Sequence, residues 1–430
     1  MSRIIRATAV SGAAVLALGL MTAGSSAWAG PAGTCAGLTA TIVGTDGADR
    51  LTGTRGDDVV ALGAGDDHFD GRGGDDVVCG GPGVDALDGG AGDDRLFGQG
   101  ARDLVVGGRG NDLVNGGAAG DSIYGDRLGG KRAAGDDGAD RLVGAGGNDT
   151  LNLLSGDGFG GGGADVALGG RGVDTVSYES SRTAVTIDVA AGTAHGAAED
   201  TLRGIQVYRG SFLADTLLGS DGPDVLDGSL APVAEGDRLV GRGGDDTLTA
   251  DGGTVKGGSG NDTFRPSGSG THDLAVDLNS GNDRAVIEQG TDTTIRGSHG
   301  RDTFVVPRPY DDPDFGPAHV RLLGGAERDL LSFARFGHPV RVEVARGMAT
   351  GHKLALRFRD FEQFDGSRRD DVLRGGRGRQ QIRGLAGADF IRGGSANDVL
   401  LGGRGLDTAY GDKGSDTCAA ERRVSCEKRP

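Results

Sequence analysis

Between Gly44 and Tyr124, apolar residues recur at a fixed interval of nine positions, separated by polar and glycine-rich stretches. In register, this segment divides into nine nonapeptides: GTDGADRLT, GTRGDDVVA, LGAGDDHFD, GRGGDDVVC, GGPGVDALD, GGAGDDRLF, GQGARDLVV, GGRGNDLVN and GGAAGDSIY. The eighth position is apolar in all of them: Leu51, Val60, Phe69, Val78, Leu87, Leu96, Val105, Val114 and Ile123. Three residues centred on that position predict a minimal strand with its middle side chain on one face. Glycine dominates the first and fourth positions, where the chain must turn sharply.

The sixth position of every nonapeptide is aspartate: Asp49, Asp58, Asp67, Asp76, Asp85, Asp94, Asp103, Asp112 and Asp121. A carboxylate at the end of a glycine-rich turn can join main-chain carbonyls in an all-oxygen site, which suits a hard cation such as Ca²⁺. Two strand-and-turn units make one coil of a parallel β-solenoid, so odd-numbered and even-numbered units stack on opposite sides. The aspartates then recur every 18 residues on each side, as in Asp49, Asp67 and Asp85.

These nonapeptides resemble the RTX (haemolysin-type) calcium-binding repeat, whose pattern is G-G-x-G-x-D-x-U-x. The resemblance implies a β-roll in which loop carbonyls and the nine aspartates share several Ca²⁺ ions between stacked coils. Some loops depart from the pattern and are expected to bind calcium less well. Ala101 and Ala119 replace glycine at position four and Leu62 replaces it at position one, while Thr45, Arg72 and Gln99 occupy position two.

The aspartate pattern returns in later parts of the chain, which extends the predicted set of metal ligands. The further ligand candidates are Asp140, Asp149, Asp165, Asp174, Asp215, Asp224, Asp246, Asp262, Asp371, Asp389, Asp398, Asp407 and Asp416. Gln380 stands where an aspartate is expected, and its neutral oxygen predicts the weakest site of the last run.

Two segments without the repeat interrupt the pattern, and the second is a copy of the first. Residues 176–178 (VSY) correspond to residues 331–333 (LSF), 155 positions later, and Val185, Ile187 and Val189 correspond to Val340, Val342 and Val344. The alternating apolar residues of each copy are typical of an ordinary strand. The sequence therefore predicts an all-β fold, a parallel β-roll or β-solenoid of nonapeptide repeats interrupted by two copies of a non-repeat β module.

The same features divide the chain into seven segments. These are a signal peptide at 1–29, a first calcium-binding β-roll at 30–177, module copy 1 at 178–210, a second β-roll run at 211–265, degenerate repeats and a proline-rich loop at 266–332, module copy 2 at 333–365, and a third β-roll run with a polar C-terminal cap at 366–430. The loop is marked by Pro307, Pro309, Pro313 and Pro317.

Calcium is expected to be required for folding. One large apolar side chain in each nonapeptide buries little surface, and the many glycines make the unfolded chain freer. Stacked carboxylates also repel one another, so an ion that neutralises them would couple its binding free energy to folding. The sequence predicts disorder without calcium and a β-roll with it.

The N-terminal residues predict secretion into the extracellular space. Arg3 and Arg6 precede a short apolar stretch, and Ala27–Trp28–Ala29 forms a small-x-small cleavage site. The apolar stretch is too short for a transmembrane anchor, and no later stretch could span a bilayer. The chain carries a formal net charge of −17, which argues against nucleic acid as a partner because that function needs a basic face.

Four cysteines in a secreted chain predict two disulfides, for which three connectivities are possible. Cys35 lies just before the first repeat and Cys79 ends the fourth, whereas Cys418 and Cys426 are close together near the other end. Pairing Cys35 with Cys79 and Cys418 with Cys426 would hold both ends of the solenoid. A zinc site is the alternative, but it needs tighter spacing between its cysteines.

No catalytic constellation emerges from the sequence, so the chain is predicted not to be an enzyme. Residues 120–123 (GDSI) resemble the G-D-S-L start of a lipase and esterase family, but none of the histidines follows an aspartate by three residues as that family requires. Residues 55–57 spell a cell-adhesion tripeptide, RGD, although each letter fits its repeat position.

Two functions remain open. The first is a secreted calcium-binding protein with a structural or interaction role outside the cell. The second is a calcium-stiffened adhesin, whose two non-repeat modules bind an extracellular polysaccharide or a cell-surface partner.

Overall fold

The fold is a continuous stack of short strands. The computed structural model describes residues 33–126, 138–153, 163–196, 198–228, 236–267, 273–287, 293–308 and 320–426. The predicted signal peptide and Pro309, Pro313 and Pro317 lie outside these ranges. Within them, no helix is both long and apolar enough to cross a membrane.

The strands are short, in keeping with one apolar position in each nonapeptide. In chain order they are β1 (Thr34–Cys35), β2 (Leu38–Thr39), β3 (Ile42–Val43), β4 (Arg50–Thr52), β5 (Val59–Ala61), β6 (His68–Asp70), β7 (Val77–Pro82), β8 (Ala86–Ala91), β9 (Arg95–Gly100), β10 (Leu104–Arg109), β11 (Leu113–Ala118), β12 (Ser122–Asp126), β13 (Arg141–Gly146), β14 (Thr150–Asn152), β15 (Val166–Arg171), β16 (Thr175–Ser177), β17 (Thr186–Asp188), β18 (Thr193–His195), β19 (Glu199–Arg203), β20 (Val207–Arg209), β21 (Thr216–Leu218) and β22 (Val225–Gly228).

The second half of the chain continues in the same way. It contains β23 (Asp237–Gly243), β24 (Thr247–Ala250), β25 (Gly253–Ser259), β26 (Thr263–Pro266), β27 (Leu274–Ser280), β28 (Arg284–Val286), β29 (Thr293–Ser298), β30 (Thr303–Val305), β31 (Val320–Gly325), β32 (Leu330–Ser332), β33 (Val340–Glu343), β34 (Met348–Gly351), β35 (Leu354–Arg359), β36 (Gln363–Asp365), β37 (Val372–Arg374), β38 (Gln381–Ala386), β39 (Phe390–Ser395), β40 (Val399–Arg404), β41 (Thr408–Lys413), β42 (Thr417–Ala419) and β43 (Arg422–Val424), with a 3₁₀ turn at Val344–Arg346.

Successive strands alternate between two parallel sheets. Sheet I begins at β3 and ends at β43, and sheet II begins at β4 and ends at β42. Within each sheet a strand pairs in parallel with the equivalent strand of the next coil, as β10 pairs with β12 through Val105 and Ile123. Two strands and two loops therefore make one coil, and the predicted β-solenoid is confirmed.

The core lies between the two sheets and contains the eighth residue of each repeat. Phe69, Leu87 and Val105 fill it from sheet II, and Val78 and Leu96 fill it from sheet I. These side chains are fully buried, as expected where alternate residues of a strand face opposite sides. Both sheets continue through residues 266–332, although the described segments there are separated by longer connections.

The two non-repeat modules are matching insertions into sheet I. In the first, β17, β18 and β19 form an antiparallel meander whose outer strands pair in parallel with the coils on either side. In the second, β33, β34 and β35 do the same. The duplication read from the sequence is thus confirmed as a duplicated three-stranded insertion.

Disulfides hold both ends of the solenoid, and of the three possible connectivities the structure has the one that pairs the cysteines within each end. Cys35 is bonded to Cys79 and Cys418 to Cys426. The first bond attaches the antiparallel hairpin β1–β2 to the roll, since Cys35 and Cys79 pack with Val77 in a small apolar cluster. Cys418 takes the core position of its strand and is fully buried.

Candidate metal centre

Each repeat aspartate lies at the end of a loop, directly before a strand, and is tied to the adjacent coils by its main chain. The carbonyl oxygen of Asp94 accepts a hydrogen bond from the Leu113 N–H at 2.9 Å, one coil further on. The Asp94 N–H donates to Asp112 Oδ1 at 2.8 Å. The carboxylate is therefore fixed by backbone pairing.

At most rungs the first carboxylate oxygen, Oδ1, belongs to a ladder of hydrogen bonds that runs from coil to coil. Asp94 Oδ1 accepts the N–H of Asp76 at 2.7 Å, and Asp112 Oδ1 accepts that of Asp94. On the opposite side, the Asp85 N–H donates to Asp103 Oδ1 at 2.8 Å. We call the side that leads into sheet I edge I and the side that leads into sheet II edge II.

The second oxygen, Oδ2, is buried at many rungs and has no hydrogen-bond partner among the described residues. This is so for Asp67, Asp76, Asp85, Asp94, Asp103, Asp112, Asp121, Asp149, Asp174, Asp237, Asp246, Asp262, Asp283, Asp302, Asp329, Asp389, Asp398, Asp407 and Asp416. A buried carboxylate oxygen without a partner costs free energy, and a whole row of them requires a physical compensation.

The glycine at position one lies against this oxygen. A Cβ atom added to Gly89 would lie 2.5 Å from the Gly107 carbonyl oxygen and closer still to Asp94 Oδ2. One coil later, a Cβ atom added to Gly107 would lie against Asp112 Oδ2 and the Gly125 carbonyl oxygen in the same way. The absent side chain thus leaves a small space bordered by a carboxylate oxygen and a carbonyl oxygen of the next coil.

Burial makes these carboxylates poor at holding a negative charge without a cation. The pKa of Asp94 is raised to about 7, with burial as the largest cause and the nearby Asp76 carboxylate also raising it. The hydrogen bond from the Asp76 N–H acts in the opposite direction. The pKa of Asp112 rises to about 8 and that of Asp165 to about 9, with burial again the largest cause and neighbouring aspartates adding to it.

The residues present fit calcium. They offer orphaned carboxylate oxygens beside main-chain carbonyls, which is the all-oxygen environment that Ca²⁺ prefers. Among the described residues, no three carboxylate, imidazole or thiol groups converge into a side-chain metal cluster. A cation on either edge would therefore take part of its coordination from loop carbonyls. When bound, it would supply the positive charge that the stacked aspartates lack.

The predicted ligand aspartates are buried, except for the half-buried Asp49. The structure places them on the two edges in the alternating order that the 18-residue spacing predicts. Their assignment as calcium ligands stays a prediction.

The ladders also contain aspartates that the sequence reasoning missed. They are Asp200 and Asp237 on edge I and Asp283, Asp302 and Asp329 on edge II. Each stands two residues before a buried apolar residue, as Asp302 does before Phe304, so the D-x-U pattern was the signal that could have found them. The insertions between them hid the regular spacing.

In the part of the chain that the structure describes, six loops satisfy the position-six side chain from within the loop, and we call them the self-capped loops. They are residues 44–49, 53–58, 210–215, 219–224, 366–371 and 375–380. In each, the N–H at position two donates to the oxygen that is orphaned elsewhere. The Thr54 N–H, for example, donates to Asp58 Oδ2 at 2.6 Å, and the Gly376 N–H donates to Gln380 Oε1 at 3.0 Å.

Between Gly253 and Leu356, the positions that hold aspartates elsewhere on edge I hold other residues. In register with Asp237 stand Gly253 and Leu274, followed along the sheet by Thr293, Val320 and Leu356. Leu274, Val320 and Leu356 are buried. Three of these five positions thus carry buried apolar side chains in place of carboxylates, while edge II keeps its aspartates.

The other motifs read from the sequence are part of the repeat. In residues 120–123, Asp121 belongs to the edge II ladder and the Ser122 N–H donates to the Asp103 carbonyl oxygen at 2.9 Å. In residues 55–57, Asp57 Oδ1 accepts the N–H of Asp75 at 2.9 Å. Both motifs are explained by coil stacking.

Sequence comparison agrees with this geometry. The profile of the family described as RTX calcium-binding nonapeptide repeat (4 copies) matches residues 43–78, 80–114, 97–127, 132–159, 209–230, 234–264, 365–400 and 392–421, together just over half of the chain. No curated protein matches the chain significantly.

Proposed function

This chain belongs to the RTX calcium-binding repeat family and is a calcium-binding β-roll protein, and we propose that it is secreted and folds as calcium binds along both edges of the roll. The observation that carries the proposal is the row of buried Oδ2 atoms without partners. Each fits a site for a hard cation, and together they give the metal-free fold a large electrostatic penalty.

The proposed chemistry is binding and not catalysis. The aspartates lie in rows along the stacked coils, where an ion would join one coil to the next, and not in a cleft open to a substrate. We assign the molecule a structural or interaction role outside the cell. The disulfides support an oxidising compartment, and the N-terminal sequence supports export.

Calcium titration of the mature chain tests the main proposal. We expect isothermal titration to show several ions per chain and far-UV circular dichroism to change from a disordered to a β spectrum over the same calcium range. Magnesium is the control, since its smaller octahedral shell is poorly matched to loop carbonyls. A spectrum that chelation leaves unchanged would contradict folding on calcium.

The affinity expected is that of extracellular calcium modules, on the order of 10⁻⁴ to 10⁻³ M. Sites this weak would leave the chain unfolded where calcium is scarce and let it fold after export. Sedimentation velocity at micromolar calcium checks this, because a compact particle under those conditions would contradict it.

A second candidate function, binding of an acidic polysaccharide, is favoured by a groove beside the second module. The groove has a volume of about 640 Å³, and its lining includes Arg346, Arg374, Arg392 and Lys413 together with Glu343 and Asp412. The basic groups outnumber the acidic ones, which suits a polyanion. Phe390 and Tyr410, with ring centroids 5.4 Å apart, provide an aromatic surface next to Arg392 on the same sheet.

The corresponding region of the first module is arranged differently. Asp188, the counterpart of Glu343, receives two hydrogen bonds from the Arg242 guanidinium at 2.9 and 3.0 Å. Arg242 stands in the position that Gly394 takes beside the second module, so the second groove has no side chain at that position. We therefore assign polysaccharide binding to module copy 2.

An array of acidic and neutral glycans, probed with and without calcium, tests this second function. The variant Arg346→Ala/Arg374→Ala is expected to lose binding to acidic glycans. Arg357→Ala is the control, because Arg357 is an exposed residue of β35 that does not line the groove. Equal binding of acidic glycans by both variants would exclude the groove as the binding site.

A further inference from the structure

The self-capped loops are not scattered along the solenoid. They come in three pairs, and each pair makes up the first coil of a repeat run. Residues 44–49 and 53–58 open the first run, residues 210–215 and 219–224 follow module copy 1, and residues 366–371 and 375–380 follow module copy 2.

Their backbone differs from that of the other loops. In the open loops, position two has a positive φ even where it is not glycine, as in Arg72 (69°), Gln99 (80°) and Leu385 (80°). Thr54 and Ser220, at the same position of self-capped loops, are not among the residues with positive φ. Two loop conformations therefore exist, and the φ angle at position two distinguishes them.

A serine or threonine hydroxyl stabilises the self-capped conformation. Five of the six loops carry one at position two, and the sixth has glutamine instead of aspartate at position six. Ser220 Oγ donates to Asp224 Oδ2 at 2.9 Å and accepts the Gly222 N–H at 3.1 Å. The position-six oxygen is thus satisfied by the protein itself, which removes the reason for a cation.

These coils share one position, at the start of a run, where no open repeat loop precedes them. What precedes them is a support that needs no metal. Val59 of the first coil packs against the Cys35–Cys79 disulfide, which bonds the hairpin β1–β2 to the second coil, and the later first coils follow the apolar modules around Tyr178 and Phe333.

We propose that the first coil of each run takes no calcium and is a metal-independent platform onto which the calcium-binding coils fold. The proposal rests on calcium binding by the open loops. It assigns Asp49, Asp58, Asp215, Asp224, Asp371 and Gln380 a role in holding their own loops, and it limits bound ions to the coils after the first of each run.

Converting one self-capped loop into an open one tests the proposal. Thr54→Gly changes residues 53–61 to GGRGDDVVA, which matches the full G-G-x-G-x-D-x-U-x pattern. We expect the full-length variant to bind one more calcium ion than the wild type, counted by native mass spectrometry and isothermal titration. The matched control is Arg72→Gly, which places glycine at position two of a loop that is already open and should leave the ion count unchanged.

A second variant and a second readout keep the outcomes separate. Ser220→Gly makes the same conversion in the second run and replaces Thr54→Gly if that variant does not fold. In the calcium-free wild-type chain, hydrogen exchange should be slower in residues 44–61, 210–227 and 366–382 than in residues 89–118. Calcium binding by the wild type without an extra ion in either converted variant overturns the proposal, and so does equal exchange across these segments. If the wild type binds no calcium, the proposed function is wrong. The hydrogen-exchange measurement then still shows whether the first coils are folded without metal.

Discussion

At the scale of single residues, the two oxygens of a ladder aspartate have different surroundings. Oδ1 of Asp94 accepts a hydrogen bond from the previous coil, whereas Oδ2 faces Gly89 without a partner. The first oxygen is satisfied by folding alone and the second is not. The charge of the aspartate should therefore mainly affect calcium affinity, whereas the position of its carboxylate should be set by the backbone.

Asp94→Asn should weaken calcium binding more than Asp93→Asn does. Asp93 is the adjacent exposed residue, and its Oδ1 accepts the Asn111 N–H, a bond that asparagine can also accept. The two variants change net charge equally, but only the first removes a carboxylate from the ladder. The loss of one interaction with a charged group, about 1.5–3 kcal/mol, lowers the calcium affinity of that site at least tenfold. Equal shifts of the calcium midpoint in circular dichroism would contradict the ladder assignment.

Gly89→Ala should destabilise the calcium-loaded roll by about 1–3 kcal/mol, because the new methyl group would overlap Asp94 Oδ2 and the Gly107 carbonyl. Gly100→Ala is the control, since the nearest atom to its added Cβ is 3.7 Å away. Urea unfolding at saturating calcium measures both. A Gly89→Ala protein as stable as Gly100→Ala would show that the space beside the carboxylate is not needed.

At the scale of elements, each ladder acts as a row of coupled acids. Burial raises the pKa of Asp85 and Asp121 to about 7 and that of Asp283 to about 8 in the folded chain, above the ordinary aspartate value. The folded metal-free state therefore binds more protons than the unfolded state between about pH 4 and 8. Its stability is highest at acidic pH and falls as the pH rises through that range.

Calcium must displace these protons, so its binding should depend on pH in the opposite direction. We expect the calcium midpoint to fall steadily from pH 5.5 to pH 8 and binding to release protons near neutral pH. Isothermal titration in two buffers with different ionisation enthalpies measures the protons released. A calcium midpoint that does not change with pH would contradict carboxylate ligands with raised pKa values.

The sequence predicted most of the fold because two physical requirements repeat at a fixed interval. The apolar eighth position gave the strands, and the aspartate at the sixth position gave the edges. The self-capped loops were not predicted, because Thr54 and Arg72 occupy equivalent positions and only backbone conformation separates them. The change along edge I was also missed, since Leu274 and Val320 resemble ordinary strand residues until the register shows that they stand in aspartate positions.

At the scale of the whole molecule, the solenoid has segments that depend on calcium to different degrees. Between Gly253 and Leu356 the apolar residues on edge I each contribute about 1.5–3 kcal/mol by burial, where other coils carry carboxylates. Phe304 of this segment packs edge to face with Phe361, which packs edge to face with Phe358 just beyond the segment. Metal removal should therefore unfold the first run before this central part.

Limited proteolysis after chelation measures that order. We expect early cleavage within residues 62–118 and persistence of a fragment that contains residues 253–356. The calcium-loaded chain, digested in parallel, is the control for loop accessibility. Cleavage of the central part as fast as the first run would contradict the difference between the segments.

The two disulfides should contribute unequally to stability. Cys35–Cys79 spans 44 residues and Cys418–Cys426 spans 8, so loop closure gives about 4 and about 2.5 kcal/mol respectively. Replacing each pair with serine in separate variants and unfolding both in urea with calcium tests this order. The reverse order would mean that burial of Cys418 outweighs chain entropy.

Parallel stacking also determines how the molecule would respond to mechanical force. Tension applied at its two ends would peel coils away one after another, since each coil is held by the same row of hydrogen bonds to its neighbour. Every released coil of 18 residues would lengthen the chain by about 60 Å at about 3.4 Å per residue. The Cys35–Cys79 bond would keep its 44-residue span closed under load, so a pulling experiment should show regular steps and a shorter final extension until a reducing agent is added.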